Sequence, residues 1–483
     1  MRLKKWICLS AASMLLAASF TATPIANAEE TKTIADESIY DLLVDRYFNA
    51  TGENDYNIDP TESSQFAGGD FKGITDKISV ISDMGFTIVS LGSIFKTEEY
   101  DGSMVTSYTE FEPRFGTTEE FTQLIDKFND YKISVMVDFP LTNVSEKHEW
   151  AQDSSKEQWV LGTSNSKVRW DLNNREVQKA LIDEVVQFVS TYKVRGIRLT
   201  NLDIASNAFL NDIIKAIKAV DENIYVISNE ESDANFDAKY YNDTNEIFRN
   251  IYKNVDIDSS EQMKYIAPGL NNGDVPVQLM IDSVNTNRFV YDVELFPPTR
   301  IKLAMASTLL LPGVPVMQYG TEIAMNGEVG PESHQVYNFR TDEELIKFIG
   351  NIQTLRNESD TLRAGEFKLI KNENGLLAFQ RSSDTEKWIV VINNTGKTTR
   401  VDISEEDIGS GKEIMGMIET NVIRANDDGV YPIVIDREVV EIYQVIEKRG
   451  INIGYLILLV LAYTFFIGFI LVLRRRTKRA EEK

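Results

Sequence analysis

Short β-branched runs alternate with amphipathic stretches, and the alternation recurs at intervals of about 30 to 50 residues from Ile39 onward. Few folds accept that order. Strands buried on both faces form a parallel sheet, and stripes with apolar residues at i, i+3 and i+4 form the helices that cover it. Strands are expected at residues 39–43, 86–91, 133–138, 196–199, 224–227, 277–281 and 313–317, with one more, sixth in order, at 252–257. Helices are expected at 118–129 and 176–192. Eight such units predict an α/β fold, a (β/α)₈ TIM barrel whose site lies at the C-terminal ends of the strands.

Two stretches depart from this rhythm. Residues 140–171 are too long for a plain βα loop and hold Trp150, Trp159 and Trp170, which points to a small inserted subdomain. The three rings are expected to form its local core, with sugar stacking as the other reading. From about residue 365 to 446 the pattern becomes short alternating runs broken by Asn, Gly and Asp turns, the mark of an all-β sandwich. The barrel then occupies 29–364.

The two ends carry targeting signals. Residues 1–28 read as a signal peptide: Arg2, Lys4 and Lys5 precede an apolar run, and Ala26-Asn27-Ala28 precedes the expected cleavage point. Residues 451–473 are uncharged and long enough to span a bilayer, and 474–483 form a basic tail. By the positive-inside rule that tail is cytoplasmic, so the expected protein is single-pass in the cell membrane with an extracellular N-terminal ectodomain. The one cysteine, Cys8, lies in the leader, so the mature chain is expected to have no disulfide. A net charge of −24 argues against nucleic acid as a partner.

Four strand tips converge on the expected site, near Asp138, Thr200, Glu230 and Asn285. Around them stand Gly68-Gly69-Asp70-Phe71-Lys72-Gly73-Ile74, Pro113-Arg114-Phe115-Gly116-Thr117, Leu311-Pro312-Gly313-Val314-Pro315 and Tyr319-Gly320-Thr321-Glu322. In that order and spacing these motifs resemble the α-amylase family of glycoside hydrolases (family 13). The resemblance covers roughly residues 36–446. It implies the barrel, an inserted domain after the third strand and a C-terminal β-sandwich.

The resemblance also implies a retaining mechanism with a carboxylate nucleophile, a carboxylic general acid and a third, stabilising carboxylate. Gly196-Ile197-Arg198-Leu199-Thr200 puts threonine at the nucleophile position, and Asp282-Ser283-Val284-Asn285 puts an amide at the stabiliser position. Glu230, in Ser228-Asn229-Glu230-Glu231, matches the general acid. Asp138, Arg198 and Arg288 match substrate-binding positions, with a buried Asp138–Arg198 ion pair as the structural alternative. Asp101-Gly102-Ser103 and Leu141-Thr142-Asn143 replace further sugar-binding residues.

The loop after the first strand is similar to the N-terminal calcium loop of some members. By matched position Ca²⁺ would take Asn49, Asn54, Asp55, the Gly68 carbonyl and Asp70, the hard oxygen donors that cation selects. His148 and His334 are expected on the surface.

These residues predict a membrane-anchored extracellular α-amylase-like protein without hydrolysis, binding an α-glucan, a cell-envelope glycan or an integral membrane protein. The alternative is a residual or altered α-glucan hydrolase or transglycosylase, with Glu230 as acid and Asp203 or Asp282 as nucleophile.

Overall fold

A computed structural model describes residues 32–448 and 453–481; the leader expected at 1–28 lies outside them. The barrel strands are β1 (Ile39–Asp41), β2 (Ile88–Ser90), β3 (Ser134–Pro140), β7 (Gly196–Thr200), β8 (Tyr225–Ser228), β9 (Gln278–Leu279) and β10 (Val314–Gln318). All pair in parallel, in the order β8-β7-β3-β2-β1-β10-β9. They are buried on both faces, as their unbroken apolar runs require.

The sixth stave differs from expectation. Tyr252 ends the helix Thr244–Tyr252 instead of opening a strand. Phe248, Ile251 and Tyr252 recur at helical spacing and are all buried, so packing selects the helix. The gap between β8 and β9 is closed by residues 237–239. Asp237 N donates to Val226 O at 2.9 Å, and Lys239 bridges Val277 in parallel.

Three of the covering helices begin where a side chain satisfies a free amide. Thr117 and Glu120 form a capping box at Thr118–Asp130, Asn174 caps Arg175–Tyr192, and Ser206 caps Asn207–Val220. Pro297 and Pro298 open Pro297–Leu310, where the first amides need no partner.

Between β3 and Arg175–Tyr192 lies a three-stranded sheet of β4 (Val144–Ser145), β5 (Val160–Ser164) and β6 (Lys167–Trp170), in the order β4-β6-β5. Its three tryptophans pack on one another, Trp150 lying 5.2 Å from Trp159 and 5.8 Å from Trp170 between ring centroids. They are local core. His148, expected at the surface, is fully buried among Tyr108, Trp150 and Trp170. It caps the turn after it, Nδ1 accepting from Trp150 N at 3.1 Å.

After the barrel come β11 (Glu366–Glu373), β12 (Leu376–Ser382), β13 (Lys387–Asn393), β14 (Thr399–Ser404), β15 (Lys412–Gly416), β16 (Val422–Ile423), β17 (Val430–Ile435) and β18 (Val439–Glu447). Six of them form an antiparallel sheet, and β14 pairs with β17 in a second. Side chains from both meet in one apolar core that includes Ile389, Val391, Ile403 and Ile433. The final helix, Ile453–Glu481, contains an apolar segment, Leu456–Arg475, of mean hydropathy 2.9, long enough to cross a bilayer.

Candidate ligand cavity at the barrel mouth

At the C-terminal ends of the strands the barrel encloses a cavity of about 150 Å³. Its floor is an ion cluster. Arg198 donates from Nε and Nη2 to Asp138 at 2.8 and 2.9 Å, and from Nη1 and Nη2 to Asp41 at 3.0 Å each. The register Asp138↔Arg198 sets the first contact, while Asp41 arrives from the end of β1. Burial alone would lower the arginine pKa, but the two carboxylates outweigh it and hold it above its usual range. The sequence had suggested Asp138 as the partner; Asp41 was missed, because nothing local marks a carboxylate 157 residues away.

Thr200 and Asn285 both line the cavity. Glu230 does not. The pairing Leu199↔Ser228 places Asn229, the next residue, beside Thr200, and Asn229 lines the cavity. Glu230 faces an adjacent cleft of about 460 Å³ and accepts from Leu202 N at 3.1 and 3.2 Å. Glu230, expected at the general-acid position, thus lies outside the cavity lining, and Asn229, the first residue past β8, stands in it.

Arg288 also leaves the expected site. It is buried and does not line the cavity; Nε donates to Ser333 O at 2.6 Å and Nη1 to Tyr319 O at 2.7 Å, bracing the mouth loops. His334, expected at the surface, lines the cavity instead. Its Nδ1 pairs with Tyr100 Oη and its Nε2 with Val284 O, each at 2.9 Å. Desolvation lowers its pKa, keeping the ring neutral.

Two polar atoms at this cavity lack a partner among the described residues. Ser93 Oγ and Asn229 Oδ1 are buried without a hydrogen bond. Neither was singled out from sequence, because an orphaned atom is a property of the packed neighbours. Such a group costs about 1–3 kcal/mol unless something bonds to it.

Both alternative nucleophiles are held by other groups, although Asp282 lines a small pocket that shares Asp41, Arg198, Asn229 and Asn285 with the cavity. Asp203 pairs with Arg169 at 2.5 Å. Asp282 accepts from Arg249 at 3.1 Å, Phe289 N at 2.6 Å and Thr321 Oγ1 at 2.8 Å.

In the loop after β1, Asn49 Nδ2 donates to Asp55 at 2.9 and 3.1 Å, and both sit against Gly68, where an added Cβ would lie 2.6 Å from Asn49 Nδ2. Asn54 Oδ1 is buried without a partner. These donors suit a hard cation. Asp70 differs from expectation: both its oxygens accept backbone amides, from Ala50, Thr51 and Gly73. It serves as the cap of the helix Phe71–Asp76. Among the described residues no group of three or more His, Cys, Asp or Glu could hold a metal.

Residues 39–179 match the family described as the α-amylase catalytic domain, and 365–443 the α-amylase C-terminal domain. Among sequence relatives, a β/α-amylase of Paenibacillus polymyxa is 23% identical over 83% of this chain, and the chain spans only 37% of that protein. A cyclomaltodextrinase of Thermoanaerobacter pseudethanolicus is 25% identical, covering 79% of this chain and 74% of the relative. An Anoxybacillus α-amylase superposes with a TM-score of 0.80 and 28% identity, over 87% of this chain and 100% of that one. An α-amylase of Geobacillus thermoleovorans, solved with acarbose, gives 0.80 and 27%, over 86% and 100%.

Proposed function

Because this chain belongs to the α-amylase family, we propose that it is a membrane-anchored member without glycoside hydrolysis, whose barrel mouth binds a neutral glycan. The observation that carries this reading is the set of strand-end residues around the cavity. Thr200, Asn229 and Asn285 stand there. Retaining hydrolysis needs two carboxyl groups about 5–5.5 Å apart, one to attack the anomeric carbon and one to protonate the leaving oxygen. A threonine hydroxyl without a base beside it does not replace the first, and an amide N–H is far too weakly acidic to protonate the leaving oxygen in place of the second.

The carboxylates that do line the cavity are spent on structure. Asp41 and Asp138 share Arg198, and Asp101 accepts from Ser103 N at 2.9 Å. Three carboxylates against one guanidinium leave the wall negative, which disfavours uronic or phosphorylated sugars. The hydroxyl and amide side chains of Ser93, Ser103, Thr200, Asn201, Asn229 and Asn285 line the cavity and suit the hydroxyl groups of a sugar. An α-glucan or a neutral envelope glycan meets both conditions.

The anchor in this reading is the apolar segment Leu456–Arg475, with the basic residues after it on the cytoplasmic side. Calcium, if taken up, would be held by Asn49, Asn54, Asp55 and the Gly68 carbonyl. It would tie the loop after β1 to the start of Phe71–Asp76.

The test uses the full-length protein in detergent, assayed on maltooligosaccharides and nitrophenyl α-glucosides, with glycan binding measured by calorimetry. Binding without turnover is the expected result. Turnover that Glu230→Gln abolishes would overturn the reading and restore the alternative of an altered hydrolase.

A further inference from the structure

The helix Pro297–Leu310 and strand β18 lie side by side and run in the same direction. At one end, Arg300 donates to Asn394 Oδ1 at 2.5 Å and to Glu438 Oε2 at 2.6 Å, just before β18 begins. At the other, Arg381 Nη1 donates to Leu310 O at 2.9 Å, and Arg381 shares one row of the sheet with Trp388 and Gln444. From 300 to 310 the helix rises about 15 Å, and from 439 to 444 the strand advances about 17 Å. The two lengths agree.

The polarity of this pair relative to the barrel is fixed by what each helix end joins. Pro297 follows the loop that carries Val284 and Asn285, both in the cavity wall, so the helix starts at the mouth. Leu310 leads into the start of β10 at Val314, so it ends at the barrel floor. β18 therefore travels from mouth to floor and continues past the helix to Glu447, where Lys448 N bonds Gly411 O at 3.0 Å. The apolar helix begins at Ile453.

We infer that the floor side of the barrel, with the turn before β15, faces the bilayer, and that the cavity opens away from it toward a glycan in the aqueous envelope. Two lengths decide this. The chain between Glu447 and Ile453 reaches at most about 20 Å. β18 itself runs about 26 Å from its mouth-side start to its exit point. The tether is shorter than the strand, so even fully extended it cannot retrace β18 back to its mouth-side start. An occupant embedded in the bilayer has no route to the cavity, whereas a polymeric glycan above the membrane does. This inference rests on the proposed anchor and on the proposed glycan specificity, and its test separates the three.

Full-length protein carrying Cys8→Ser is reconstituted into liposomes with an acceptor dye on the lipid headgroups. Donor dyes are placed singly at Leu295→Cys, in the exposed loop before Pro297, or at Ser410→Cys, in the exposed turn before β15. Transfer from position 410 is expected to exceed that from 295 at least twofold. Equal transfer, or more from 295, overturns the orientation. Protein that fails to float with the liposomes overturns the anchor, and the inference with it. In a second arm, liposomes bearing the protein are spun with insoluble amylose. Co-sedimentation is expected. Sedimentation of detergent-solubilised protein but not of liposomes means a mouth turned to the bilayer; sedimentation of neither removes the glycan as occupant, while the dye arm still reports orientation.

Discussion

Arg198 grips Asp138 with two hydrogen bonds, at 2.8 and 2.9 Å, on the floor of a cavity where both side chains are buried. The same guanidinium holds Asp41. The neighbour at the end of β7 is Thr200, and the cluster holds three strands together.

Removing the cation should therefore cost stability before it costs anything else. Arg198→Met leaves two buried carboxylates without compensation and is expected to destabilise the protein by about 3–5 kcal/mol. Asp138→Asn, which leaves the arginine paired with Asp41, should cost less. Urea unfolding of the two variants checks the order; equal losses would mean that Asp41 contributes little.

Asn229 and Glu230 separate binding from chemistry. Asn229→Ala removes an unpartnered cavity acceptor and is expected to weaken glycan affinity about 10-fold, the value of roughly one hydrogen bond to a hydroxyl. Glu230→Ala, facing the neighbouring cleft, should leave affinity within about twofold of the parent. Calorimetric titration of both against a maltooligosaccharide tests the register directly, because the opposite order would put Glu230 back in the site.

In the proposed reading, hydrolysis needs carboxyl groups on the cavity wall itself. Thr200→Asp with Asn229→Glu and Asn285→Asp is expected to show hydrolysis of nitrophenyl α-glucosides above the parent. Thr200→Asp with Asn285→Asp alone, which keeps only Glu230 as acid, should show none. A missing general acid typically costs about 10²- to 10⁴-fold, enough to tell the two apart by initial rates.

His148 should give stability a dependence on acid. Burial lowers its pKa to about 3, against about 6.5 in the unfolded chain. Below pH 6.5 the unfolded state binds a proton that the folded state refuses, so this contribution is complete above 6.5 and falls as pH drops toward 3. The slope is about 1.4 kcal/mol per pH unit. Urea midpoints between pH 7 and 5 should drop more steeply for the parent than for His148→Asn, and parallel curves would contradict the assignment.

Calcium should stabilise through the loop after β1. At 100 times its dissociation constant a ligand that binds only the folded state adds about 2.7 kcal/mol. The melting temperature should rise with added Ca²⁺ in the parent and not in Asp55→Ala, while Mg²⁺, which demands stricter geometry, gives less. An unchanged melting temperature in the parent would remove calcium from the account.

What the sequence determined by itself is the scaffold and the identity of the residues at its strand ends. Periodicity marks seven of the barrel strands, since a strand buried on both faces must be apolar throughout. Gly196, Arg198 and Leu199 mark the frame that sets Thr200 at a strand end, and Asp282 does the same for Asn285. The tertiary structure alone decided the rest. Whether Asn229 or Glu230 meets the cavity depends on pairing with β7, and one residue of slip turns a side chain from one wall to the other. Asp41, Ser93 and His334 enter the site from strands and loops far apart in the chain. The sixth stave at 237–239 is too short for any periodicity to mark it. Distance in sequence carries no information about contact, so these residues became functional candidates only when the barrel closed and brought them to one mouth.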